Sequence, residues 1–124
     1  MVKNILVVDD EPGVTHTLKY GLESLDTNYK VVCVENGKKC FEMLENSQKP
    51  DIILLDIMMP EMNGWEVQKK LQERIEWRDI PIIFLTATAD PTSKKIGSII
   101  GKGFIEKPCK IPDLKQKIDK ILKK

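Results

Sequence analysis

Short apolar runs alternate with longer amphipathic stretches along the whole chain. Ile5-Leu6-Val7-Val8 is an unbroken aliphatic run with no polar alternation, the pattern of a strand buried on both faces. Val31-Val32-Cys33-Val34, Ile52-Ile53-Leu54-Leu55 and Ile82-Ile83-Phe84-Leu85 repeat it, and Phe104-Ile105 is a shorter fifth case. The stretches between carry helical spacing. Val14, Leu18, Leu22 and Leu25 fall on one face behind Pro12, a residue suited to the first turn of a helix. Cys40, Phe41 and Leu44 follow Asn36-Gly37, and Trp65, Gln68 and Leu71 follow Asn63-Gly64. Ile96, Ile99 and Ile100 follow Pro91, and Leu114, Ile118, Ile121 and Leu122 follow Pro112.

The predicted order is βαβαβαβαβα, five units of roughly 25 residues each. Strands joined by helical crossovers imply an α/β fold with a parallel sheet covered on both faces. The units use residues 1–124 as one domain, so no output domain is expected. At 41% apolar and 31% charged the chain reads as globular. Its apolar runs are far shorter than the roughly 20 residues of a membrane span, and no leader pattern precedes the first strand. A cytoplasmic protein with no membrane partner is therefore expected. Cys33, Cys40 and Cys109 are odd in number and widely spaced, which favours reduced packing thiols over a disulfide framework or a zinc site.

Charge adds a division that the net value of +1 conceals. Residues 1–93 hold 10 basic and 16 acidic residues, a net of −6; residues 94–124 hold 10 lysines and 3 acids, a net of +7. A uniformly basic domain would point to nucleic acid; this one does not.

The candidate chemistry sits where strands stop, the place at which open α/β sheets bind ligands. Asp9, Asp10 and Glu11 follow the first strand, Asp56 ends the third, Thr86 the fourth, and Lys107 follows the fifth. If strands one, three, four and five are neighbours, these side chains share one rim. Crowded carboxylates there call for a cation, and oxygen-only donors suit Mg²⁺ or Mn²⁺. A divalent cation, a lysine and a hydroxyl around one carboxylate are the parts that stabilise a transferring phosphoryl group, with the carboxylate as nucleophile.

At this point the chain resembles a response-regulator receiver domain of two-component signalling, of the stand-alone chemotaxis-regulator type. The matching blocks are Ile5-Leu6-Val7-Val8-Asp9-Asp10-Glu11, Asp56-Ile57-Met58-Met59-Pro60-Glu61-Met62-Asn63-Gly64, Leu85-Thr86-Ala87 and Lys107-Pro108. The resemblance implies a flavodoxin-like doubly wound (βα)5 fold with strand order 2-1-3-4-5. It implies Asp56 as phosphoacceptor, supplied by a sensor histidine kinase or phosphotransfer protein. It further implies Mg²⁺ held by Asp10, Asp56 and the Met58 carbonyl, with Asp9 acting mainly through water. Thr86 and Lys107 would engage the phosphoryl group, Thr86 and Phe104 would form the switch, and Lys107-Pro108 would be cis. The fourth helix, fifth strand and fifth helix would form the face that controls a separate output protein or a phosphorylation-dependent dimer. Such a module catalyses its own phosphorylation and slow dephosphorylation but turns over no external metabolite.

Each position also has a plainer role: an acidic helix start for Asp9-Asp10-Glu11, a strand end for Thr86, a surface lysine for Lys107, a core aromatic for Phe104. Packing or surface explains His16. Two departures from the family pattern stand out. The Gly101-Lys102-Gly103-Phe104 loop is one residue shorter than usual, and Met58 and Thr88 occupy the positions that flank the hydrolytic water. An apolar Met58 is expected to shield the acyl phosphate. Two other classes fit less well. A flavin binder needs a phosphate-gripping loop after strand one, where this chain has Asp-Asp-Glu-Pro-Gly, and an Asp-nucleophile phosphohydrolase needs a second acid where Met58 stands. Lys94, Lys95, Lys102, Lys110, Lys115, Lys117, Lys120, Lys123 and Lys124 put the basic excess from the fourth helix to the C-terminus. An acidic output partner is expected there.

Overall fold

The computed structural model describes residues 1–47, 49–87, 95 and 101–123. Its elements, in chain order, are β1 (Lys3–Val8), α1 (Pro12–Leu25), β2 (Tyr29–Val34), α2 (Gly37–Asn46), β3 (Ile52–Asp56), α3 (Gly64–Gln72), β4 (Ile82–Thr86), β5 (Gly103–Glu106) and α4 (Ile111–Leu122). The fourth helical segment expected from Ile96, Ile99 and Ile100 lies outside the described residues, so α4 is the fifth one anticipated.

All five strands are parallel, in the order β2-β1-β3-β4-β5. This is the flavodoxin-like arrangement, and its direction of growth reverses at β1 and β3. The unbroken apolar runs follow from burial on both sides, because adjacent side chains on a strand face opposite ways. Leu6, Val8, Ile53, Leu55 and Phe84 meet Cys40 and Leu44 of α2 and Val67 and Leu71 of α3. Their neighbours Ile5, Val7, Ile52, Leu54, Ile83 and Leu85 meet Leu18 and Leu22 of α1 and Leu114 and Ile118 of α4. The helical stripes largely match the periodicity. Leu25, however, is half-exposed at the end of α1, and Val67 joins the core although its spacing was not singled out.

Strand β2 is an edge, and the outer backbone groups of Val31 would be open to other chains. Two α1 side chains close them. Glu23 accepts the Val31 N–H at 2.9 Å, and Lys19 donates to the Val31 carbonyl at 2.8 Å. Among the described residues no helix is long and apolar enough to cross a membrane.

Candidate functional site

Register brings the strand-end residues together. Val8 lies opposite Leu55, Asp56 opposite Leu85, and Thr86 opposite Glu106, so Asp9, Asp56, Thr86 and Lys107 finish on one rim. The Lys107 N–H donates to the Thr86 carbonyl at 2.7 Å, which extends the β4–β5 pairing by one step and aims the lysine inward. The Lys107-Pro108 bond that follows is cis.

Lys107 is the hub. Its Nζ lies 2.8 Å from Asp9 Oδ2, 3.3 Å from Asp56 Oδ1 and 3.0 Å from Glu11 Oε1. Asp9 and Asp56 are 1% and 2% exposed, so two carboxylates and one ammonium share a nearly dry space. Asp9 Oδ1 accepts the Glu11 N–H at 2.9 Å, and Asp56 Oδ1 accepts the Met58 N–H at 3.3 Å. Glu11 was read in the sequence as part of a motif and given no role; its ion pair with Lys107 is an addition from the structure. Only its position beside Asp9-Asp10 hinted at it.

The electrostatics follow from this crowding. Burial, then the nearby Asp9 charge, pushes the Asp56 carboxyl up to about 7, against the opposing pull of Lys107 and the Met58 N–H. Burial acts to lower the Lys107 ammonium, yet hydrogen bonds to Asp9 and Glu11 and the field of Asp56 hold it above the ordinary lysine value. One cation thus serves three acids, and the cluster carries a net negative charge.

The loop after Asp56 is fixed by close backbone contact. The Gly64 N–H donates to the Ile57 carbonyl at 2.9 Å, and a Cβ on Gly64 would stand 2.5 Å from the Asp56 carbonyl oxygen and 2.9 Å from Ile57 Cα. Only glycine fits there. Asn63 and Glu66 form a reciprocal capping box that starts α3 at this point. Glu61 takes the left-handed conformation, with φ of 69°, to let the chain turn.

The remaining candidates are placed differently. Asp10 is exposed; with Asp9 and Glu11 it forms a group whose carboxylate oxygens lie within 4.8 Å of one another. Asp9 and Asp10 also border a cavity of about 280 Å³ with Thr15, Cys33, Glu35 and Lys39. Thr86 is buried at the end of β4, and Phe104 is partly buried in β5 opposite Phe84. The Phe104 side of the shortened loop therefore joins the sheet in regular register. Met58 departs from expectation: its side chain is 70% exposed, while Ile57 and Met59 on either side are buried. Met58 lies in the loop just past the end of β3, where its backbone N–H meets Asp56 while its side chain is turned to solvent. Thr88, its expected counterpart, lies outside the described residues.

Hard oxygen donors, two of them buried carboxylates, with burial first and the Asp9 charge second raising Asp56 to about 7, fit a divalent cation of the Mg²⁺ or Mn²⁺ kind.

Residues 5–119 match the family of the response regulator receiver domain. The chain is 36% identical, over 92% of its length, to 25% of the probable cyclic di-GMP phosphodiesterase of Vibrio cholerae. It is 34% identical, over 100% of its length, to 50% of the alkaline phosphatase synthesis transcriptional regulatory protein PhoP of Bacillus subtilis. The chain thus spans a quarter to a half of the length of these curated relatives. Among solved structures, the signal receiver domain of a signal transduction histidine kinase from Syntrophus aciditrophicus superposes with a TM-score of 0.84 at 33% identity, over 98% of this chain and 90% of that one. The matched span takes in β2 to β5, all of β1 but its first two residues, and the whole rim of Asp9, Asp56, Thr86 and Lys107: the chain belongs to the receiver domain family of two-component response regulators.

Proposed function

We propose that Asp56 is the phosphoacceptor of a two-component relay. The observation that carries this reading is the buried Asp56 carboxylate at a strand end, 3.3 Å from Lys107 and beside the buried hydroxyl residue Thr86. In the transfer, an Asp56 carboxylate oxygen forms a bond to phosphorus. The donor's phosphorus–nitrogen bond breaks, and the imidazole of a kinase or phosphotransfer protein leaves with the electron pair. Lys107 offsets the charge on the entering oxygens, and Thr86 supplies a hydroxyl donor at the rim. Asp9, Asp10, Asp56 and the Met58 carbonyl would hold Mg²⁺ or Mn²⁺, with Asp9 acting mainly through water. When bound, the ion neutralises the acids and the phosphoryl oxygens.

Phosphorylation exchanges one carboxylate for a group of about −2 charge with three acceptor oxygens. Lys107 is already shared among Asp9, Glu11 and Asp56, so the new charge competes for it directly. Redistribution of Lys107 and Thr86 shifts β5, with Phe104, relative to its neighbours, and this controls a separate acidic partner, or a second copy, on the β5–α4 side. The domain works as a switch and turns over no external metabolite.

Intact-mass measurement with Mg²⁺ and acetyl phosphate tests the reading. One labile phosphoryl adduct is expected on the native chain and none on Asp56→Asn. An equal adduct on both would overturn it.

A further inference from the structure

The surface where α2 and α3 meet carries a groove and, beside it, a protruding side chain. The groove, of about 230 Å³, is lined by Phe41 and Glu45 of α2, by Lys70 in the last turn of α3, and by Glu73, Arg74 and Trp77 just after it. Phe41 stacks on Trp77 with ring centroids 5.9 Å apart. The Arg74 guanidinium lies 4.1 Å from the centre of the Trp77 ring, held there by Glu45 at 3.2 Å and Glu76 at 3.0 Å. Aromatic and ionic contacts thus fix the walls. Ile75 stands next to this groove and is 77% exposed, more than any other described large apolar residue except Met1.

The charges around the groove are balanced but not all paired. Arg74 neutralises Glu45 and Glu76, whereas Lys70 and Glu73 are exposed and neither side chain makes an ion pair or hydrogen bond with a described residue. The patch therefore offers one free cation, one free anion, one apolar knob and one aromatic groove. A surface that holds both halves of each contact is complementary to itself, and a two-fold axis brings the halves together. A strongly acidic or basic protein gains nothing net here, because Lys70 and Glu73 cancel. A phosphate backbone would meet the carboxylates of Glu45, Glu73 and Glu76.

We propose that the α2–α3 surface is a weak homodimer interface, in which Ile75 of each copy enters the Phe41–Trp77 groove of the other and Lys70 of each copy faces Glu73 of the other. Burial of Ile75 supplies the apolar gain, and Trp77 with its Arg74 cover gives it a rigid wall to pack on. One knob and one groove per copy make a small contact, so the association is reversible and is seen only at high concentration. Helix α3 begins beside Asp56 at Gly64, and the patch lies at its far end. Dimerisation here needs no phosphoryl group on Asp56 and leaves the β5–α4 side open. The interface rests on the shape and charge of this patch and not on the phosphoacceptor reading.

The test is sedimentation velocity on the full chain, over a dilution series that reaches millimolar concentration. A monomer–dimer equilibrium is expected without any phosphoryl donor. Ile75→Glu would bury an unpaired charge and should raise the dissociation constant more than about tenfold. Tyr20→Glu, at an exposed position on α1, should leave it within about twofold of the native value. Lys70→Glu and Glu73→Lys should each weaken the dimer several-fold. The two together should return it to within about twofold of the native value, because the swapped charges again face one another. Circular dichroism confirms folding, and Ile75→Ala provides a milder loss in the same direction. A chain that stays monomeric throughout, or association that continues past the dimer, would overturn the proposal. So would equal weakening by Tyr20→Glu, or a double swap no tighter than the single variants.

Discussion

Asp56 is held by its neighbours in a state that a free aspartate does not adopt at neutral pH. Burial and the Asp9 charge raise its folded pKa to about 7, while in the unfolded chain it titrates in the ordinary carboxylate range. Between those values the folded state keeps a proton that the unfolded state releases. This contribution is complete at low pH and is lost as pH rises through about 7. Asp56→Asn removes the penalty. In the absence of divalent cations the variant should exceed the native chain by about 2 kcal/mol at about pH 8 and approach it near about pH 4. Urea unfolding at both pH values checks the sign. Gly64 makes a different demand at the same place. A Cβ there would press on the backbone of Asp56 and Ile57, neither of which can retreat without moving the Asp56 carboxylate. Gly64→Ala should cost about 1–3 kcal/mol and slow adduct formation on Asp56, read by thermal melting and by intact mass. The crowding of carboxylates on one rim was legible in the sequence; the backbone contact at Gly64 was not. Asp56 and Gly64 were recognisable as members of one motif, but the contact between the Asp56 carbonyl and the Gly64 Cα is a product of how the loop folds back. Met58 illustrates the same limit, since its residue type gave no sign that its side chain would face solvent beside two buried neighbours.

At the level of elements, the strands were readable because burial on both faces leaves no polar position to confuse the pattern. The helices were readable where the apolar stripe was regular, as in α1 and α4, and less so in α3, where Val67 completes the buried face and Trp65 packs 4.6 Å from the ring of Phe84. What periodicity could not show is how polar groups dock the last helix. Tyr29 at the start of β2 donates to Asp119 of α4; Lys115 bridges Asp119 and Asp26, and Lys3 lies 3.9 Å from Asp119. Burial, reinforced by Asp119, holds the Tyr29 hydroxyl well above its ordinary pKa, so it stays a donor at any physiological pH. These residues are 90 positions apart in the chain and belong to no motif. Tyr29→Phe should therefore destabilise the fold by about 1 kcal/mol, seen as a lower urea midpoint, and leave phosphorylation of Asp56 unchanged. A loss of phosphorylation in a folded Tyr29→Phe protein would show that the docking of α4 reaches the rim.

The whole molecule separates its charges. The negative rim at the strand ends gathers Asp9, Glu11 and Asp56 around Lys107, with Asp10 beside Asp9 and Glu11. Exposed lysines of α4 and of the approach to β5, Lys102, Lys117 and Lys120, line a concavity away from this rim and make no side-chain ion pair among the described residues. A field of this sign at the rim attracts a divalent cation, whose charge would in turn offset the repulsion between the acids and an anionic phosphoryl group. The site itself was largely legible before the fold was known, because each of its strand-end residues is set by where an apolar run stops. The role of Glu11, the exposure of Met58 and the sharing of Lys107 were not, because they depend on distances between loops. The measurement that bears most directly on the central claim is peptide mapping of the chain after treatment with acetyl phosphate and Mg²⁺. One phosphoryl group is predicted on the peptide containing Asp56, absent when Mg²⁺ is chelated and absent in Asp56→Asn. A phosphoryl group found instead on Asp9, Asp10 or His16, or a native yield in Asp56→Asn, would contradict it.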